Sequence, residues 1–206
     1  MKKENLDLLE KCDYISIDTS VLMETSDLES FIDTYALEIM ACYHHIFIYD
    51  EVLKELKYHM AGTNEEKRRK AGAALDIINK RSDLFLCESQ PEKVRAKNHR
   101  DRIADQRFLS ALHFYHTTHS QLFITNDKKL QADLATAAKT ASVNGKPVYV
   151  ASIENGLLKR FELPEPEISY EPSYESGDNS AICLIGGLFL GVVVTTLTSI
   201  IKNKLS

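Results

Sequence analysis

Tyr14-Ile15-Ser16-Ile17-Asp18-Thr19-Ser20 is a short apolar, β-branched run that stops at an acid followed by two hydroxyl residues. A run of this length and composition reads as a buried strand. An acid at the carboxyl end of a parallel strand sits where open α/β sheets bind their ligands. Asp18 is therefore the residue whose partners the rest of the chain should supply.

Outward from that stretch, apolar runs alternate with helical spacing. Residues 25–43 carry Leu28, Phe31, Ile32, Tyr35 and Ile39 at helical intervals, and 44–49 reads as a second strand. A helix is expected from Asp50 or Glu51 to near Gly62, and a second from Thr63-Asn64-Glu65-Glu66 to about Asn79. Residues 83–87 read as a third strand, followed by a polar, basic segment. A helix from Asp101 to about Tyr115 precedes a fourth strand at 121–124. Asn126-Asp127 opens a helix to about Val143. Asn144-Gly145 is a turn, 146–150 a fifth strand, and 152–160 a final short helix. This alternation predicts an α/β fold, a three-layer α/β/α sandwich with a central parallel sheet.

The 206 residues suffice for one ordinary domain plus an appendage. Residues 1–161 read as that domain. Residues 162–180 hold three of the five prolines, Pro164, Pro166 and Pro172, with Gly177, six acids and no Lys or Arg, and read as an acidic flexible linker. Residues 181–201 are 21 residues without a charge. At ~1.5 Å per residue such a helix spans roughly 30 Å, the thickness of a bilayer core. A C-terminal transmembrane helix with a short tail, 202–206, is expected. Gly187 and Gly191 form a small-xxx-small pair that would let two such helices pack as a homodimer.

Setting aside the six linker acids and the tail's Lys202 and Lys204, 23 basic and 24 acidic side chains remain in residues 1–160. That near-neutral balance neither announces nor excludes a nucleic-acid partner. Cys12, Cys42, Cys87 and Cys183 show neither metal-ligand spacing nor a disulfide framework, which points to a reducing compartment. The N-terminal residues lack an apolar core, so no cleaved leader is expected. No P-loop, dinucleotide-binding glycine pattern, Ser-His-Asp or Cys-His arrangement is evident. His113, His116 and His119 step by three near a helix end and read as solvated.

The acids form the informative pattern. Asp18 and Asp127 follow strands. Glu51 and Glu55, and Asp101 and Asp105, are pairs four apart at helix starts. Asp18 and Asp127 could equally cap the helices that follow them, and the paired acids could be solvated helix residues. Taken together, they fall at one edge of a parallel sheet. Carboxylates gathered there repel one another unless a divalent cation neutralises them, and hard oxygen donors suit Mg²⁺ or Mn²⁺. Such a site can activate water against a phosphate.

Four segments resemble the PIN-domain nucleases, including those of PhoH-like and VapC-type proteins. They are Ile17-Asp18-Thr19-Ser20-Val21-Leu22, Val52-Leu53-Lys54-Glu55-Leu56, Ala104-Asp105-Gln106-Arg107-Phe108-Leu109-Ser110-Ala111 and Phe123-Ile124-Thr125-Asn126-Asp127-Lys128-Lys129-Leu130. Their order and spacing agree over about residues 12–160. The resemblance implies that Asp18, Glu55, Asp105 and Asp127 are catalytic metal ligands, steadied by Ser20 and Thr125. Glu55 is preferred to Glu51 because the family's Glu directly precedes a Leu. Asp101 has no clear counterpart, and it and Glu51 read as supporting acids.

The implied activity is that of an endoribonuclease, with metal-activated water attacking a phosphodiester of single-stranded RNA. A non-catalytic PIN-fold binding or sensor module is the alternative. Arg95, Lys97, Arg100 and Arg102 are the expected RNA contacts, whereas Lys67-Arg68-Arg69-Lys70 reads as well as a solvated helix face. A regulator or antitoxin is compatible with the reading. Reaching RNA puts the catalytic domain in the cytoplasm, although Lys202 and Lys204 on the far side run against the positive-inside tendency.

Overall fold

β1 (Tyr14–Ile17) is buried at every residue, and so is β4 (Gln121–Ile124). A strand buried on both faces needs cover on both faces, which an α/β sandwich supplies. The computed structural model describes residues 5–42, 44–88 and 103–164. The transmembrane helix expected at 181–201, the tail, nearly all of the linker, Asp101 and the basic residues Arg95, Lys97, Arg100 and Arg102 lie outside the described residues. Among the described residues, no helix is long and apolar enough to cross a membrane.

The elements follow the order α1 (Leu6–Lys11), β1, α2 (Thr19–Leu22), α3 (Thr25–Ala41), β2 (Ile46–Tyr49), α4 (Asp50–Ala61), α5 (Glu65–Lys80), β3 (Phe85–Glu88), α6 (Ile103–Tyr115), β4, α7 (Lys128–Ala141), β5 (Val148–Glu154) and β6 (Leu157–Arg160). The sheet order is β3-β2-β1-β4-β5-β6. β1 to β5 are mutually parallel, and β6 runs antiparallel to β5. The chain builds outward from β1 to β3, then returns to the other side of β1 with β4. The switch point therefore lies between β1 and β4, where an open α/β sheet leaves a crevice beyond its strand ends. The register pairs Ile17 with Ile124, so the residues that follow both strands emerge side by side.

Two expectations are corrected. Residues 152–160 do not form a helix. β5 continues to Glu154, and Asn155-Gly156 turns it into β6. Both turn residues have positive φ, 52° and 73°, the backbone of a two-residue type I′ hairpin. The sheet is consequently not purely parallel, since this hairpin adds an antiparallel edge strand. α1 and α2, which periodicity did not reveal, are short elements of six and four residues.

The core joins the layers through aromatic contacts. Phe108 of α6 packs edge-on against Tyr49 of β2 at 5.1 Å and against Phe123 of β4 at 6.0 Å. α5 turns Ala71, Ala74, Ile77 and Ile78 inward, and two alanines in that stripe let it lie close to its neighbours. Asn64 caps α5, its Oδ1 accepting from Lys67 N–H at 3.0 Å, and Glu65 and Glu66 complement the helix dipole.

Candidate active site

Asp18 is the first residue past β1 and the N-cap of α2. It is 5% exposed. One of its oxygens, Oδ2, accepts from Ser20 Oγ at 2.6 Å, Thr125 Oγ1 at 2.9 Å and Ser20 N–H at 3.3 Å. All three donors use the same oxygen, which fixes the carboxylate plane and leaves Oδ1 outside the network. Ser20 Oγ and Thr125 Oγ1 lie 3.2 Å apart. Each hydroxyl has one proton, and Asp18 takes both.

The same two hydroxyls position the turn after β4. Ser20 Oγ accepts from Asn126 N–H at 3.0 Å, and Thr125 Oγ1 accepts from Asp127 N–H at 3.1 Å. Asp127 then caps α7, its Oδ1 accepting from Lys129 N–H at 2.7 Å and Leu130 N–H at 3.0 Å. Asn126 Oδ1 accepts from Ile153 N–H at 3.0 Å, and buried Gln131 donates to the Thr125 carbonyl at 2.6 Å. Both acids are thus helix caps, as their sequence context allows, and both also face the crevice at the switch point.

Glu55, on α4, accepts from Thr19 Oγ1 at 2.8 Å through Oε2, and its Oε1 lies 3.7 Å from His59 Nε2. Asp105, half-buried, comes from the first turn of α6. Asp18, Glu55, Asp105 and Asp127 line one cavity of about 440 Å³, together with Ser20. Glu51 does not line it. Its Oε2 instead pairs with Arg107 Nε at 3.2 Å. Thr125 is fully buried behind the cavity wall.

Thr19, His59 and Arg107 are the participants that sequence reading passed over. Thr19 follows Asp18 directly, and His59 stands one turn after Glu55, so both were within reach of spacing arguments. Arg107 needed the packing of α4 on α6. His113, His116 and His119 make local contacts, such as His116 Nδ1 with the His113 carbonyl at 2.7 Å, and none lines the cavity.

The donor set is one of hard oxygens, the chemistry that a small divalent cation prefers. Among the described residues, no three His, Cys, Asp or Glu side chains converge as a ready-made cation cage. In their chemistry the residues fit a divalent ion.

A second, half-buried carboxylate, with two phenols around it, lies elsewhere. Glu88, at the end of β3, accepts hydrogen bonds from the phenols of Tyr14 and Tyr115, the latter at 3.0 Å. Burial raises its carboxyl above the usual range, and the Tyr115 hydrogen bond only partly offsets this. Burial also pushes the Tyr115 phenol up to about 12. Tyr14 stacks on Phe47 at 4.2 Å, so this cluster belongs to the packing between β1, β2 and α6.

No family model and no curated protein matches the chain. Among solved structures, it is similar to one described as the PIN domain endonuclease Utp24. The two are 18% identical, over 73% of this chain and 92% of that chain, with a TM-score of 0.41. The α/β assignment rests on the strand order and register rather than on this likeness.

Proposed function

We propose that the chain is a membrane-anchored, divalent-metal-dependent endoribonuclease of the PIN type, acting on single-stranded RNA. The observation that carries this reading is that Asp18, Glu55, Asp105 and Asp127, from four separate elements, line one cavity at the sheet's switch point. These four residues would hold Mg²⁺ or Mn²⁺. The bound ion would lower the pKa of water and neutralise charge on the phosphate. Ser20 and Thr125 fix the Asp18 carboxylate, and Thr19 orients Glu55. The uncharged run 181–201 supports the anchor, and the need to reach RNA supports a cytoplasmic domain.

The second reading is a non-catalytic binding or sensor module on the same fold.

Cleavage-site mapping on total RNA separates the two. The nuclease reading predicts internal cuts in unpaired segments that require Mn²⁺ and disappear with Asp18→Asn. Cuts unchanged in that variant, or none at all from the native chain, favour the binding module. Protease protection of the N-terminal domain in sealed vesicles would overturn the proposed orientation.

A further inference from the structure

Four carboxylates around one cavity repel a polyanion, so a nuclease needs a cation on the same rim. α5 enters the cavity at its amino end, and Lys67 and Lys70 line it alongside the four acids. The two lysines differ in their bonding.

Lys70 is committed. Its Nζ lies 3.1 Å and 3.3 Å from the two carboxylate oxygens of Glu24, and 3.6 Å from Glu66 Oε1. The hydrogen bond to Glu24 is the main reason its ammonium is held above the usual lysine range. Glu24 is the N-cap of α3, two residues after the α2 segment that begins at Asp18. Lys70 therefore ties α5 to the segment carrying the buried acid.

Lys67 has no such tie. Its side chain is exposed, and among the described residues its Nζ makes no hydrogen bond or ion pair. Its backbone N–H is fixed by the Asn64 cap, so the base of the side chain is ordered while the ammonium stays available at the rim. Arg68 and Arg69, on other faces of the helix, do not line the cavity.

Resting on the nuclease reading, we propose that Lys67 contacts a backbone phosphate of the RNA strand as it crosses the carboxylate cavity, and that Lys70 is a positioning residue. A lysine is a compact point charge on a flexible stem, suited to a phosphate whose base is not being read. The assignment adds α5 to the Arg95–Arg102 stretch as an expected RNA contact.

The test uses the full chain in detergent and an oligouridylate as probe. Anisotropy measures binding in EDTA over a range of salt, and cleavage is measured with Mn²⁺. Lys67→Gln should weaken binding roughly fivefold and flatten the slope of log K against log salt by about 0.7, one single-strand phosphate contact. It should raise KM while leaving kcat and the melting temperature unchanged. Arg69→Gln should leave binding unchanged, and Lys70→Gln should lower the melting temperature without changing the salt slope. Native binding and slope in Lys67→Gln would overturn the proposal while the nuclease reading stood. Native-chain binding without Mn²⁺-dependent cleavage would overturn the nuclease reading, with the Lys67 contact still read from the salt slope. Neither binding nor Mn²⁺-dependent cleavage by the native chain would overturn both.

Discussion

Glu51 Oε2 and Arg107 Nε lie 3.2 Å apart, with their side chains 16% and 6% exposed. The pair connects α4 to α6, one turn before Glu55 and two residues after Asp105. It therefore sets the spacing between two helices that each deliver an acid to the cavity. The two atoms are at ion-pair distance without hydrogen-bond alignment, so Coulombic attraction in a poorly solvated site carries the contact. Removing Arg107 takes the cation away from the buried Glu51 carboxylate.

Arg107→Met should accordingly lower unfolding free energy by about 3 kcal/mol in urea titrations. Glu51→Gln should also destabilise the fold yet keep Mn²⁺-dependent cleavage. Glu55→Gln should lose cleavage with little change in stability. Reversed behaviour of the two glutamates would return Glu51 to the ligand set.

Ser20 and Thr125 both donate to Asp18 Oδ2 and both accept from the backbone after β4. Ser20→Ala should reduce metal affinity about 10- to 100-fold, the usual effect of removing a hydrogen bond that orients a ligand. Thr125→Val replaces a fully buried hydroxyl and should also cost about 1–3 kcal/mol, because Asp127 N–H loses its acceptor. Metal titration and thermal melting of each variant separate the two effects.

Gly156 has φ +73°, and a Cβ placed there would lie 2.4 Å from Ser30 Cβ on α3. Gly156→Ala meets both backbone strain and a close contact. It should destabilise the fold by about 2 kcal/mol or more, read as a lower urea midpoint at unchanged slope.

Asp13 Oδ2 accepts from Ser120 Oγ at 2.6 Å and Ser120 N–H at 2.9 Å. The Ser120 hydroxyl is the main reason that its carboxyl is held below the ordinary value of 3.8. Its folded pKa lies below the unfolded one, so its stabilisation is full above 3.8 and is lost as pH falls through the lowered value. Asp13→Asn should melt earlier than the native chain at neutral pH, and the gap should close in strong acid.

β1 and β4 were legible because buried parallel strands are continuous apolar runs, and each stops at an acid or a hydroxyl-acid turn. The hairpin was not. Ile153, Leu157, Leu158 and Phe161 recur at helical spacing, which masks the Asn155-Gly156 turn between them. Glu51 and Glu55 lie on one helix face, so spacing alone could not separate them, whereas Arg107 distinguishes them by packing. Lys67 looked like part of a solvated charge run because no local pattern shows that the start of α5 meets the end of β1. The carboxylate cavity joins residues more than one hundred positions apart, and only the switch in strand order brings Asp127 beside Asp18.

The central claim is that Asp18, Glu55, Asp105 and Asp127 act as one cation site. Mn²⁺ titration calorimetry on the full chain and on Asp18→Asn, Glu55→Gln, Asp105→Asn and Asp127→Asn tests it most directly. The account predicts saturable Mn²⁺ binding by the native chain that each substitution weakens at least tenfold, while the folded state melts normally. Native-strength Mn²⁺ binding in all four variants, or none by the native chain, would contradict it.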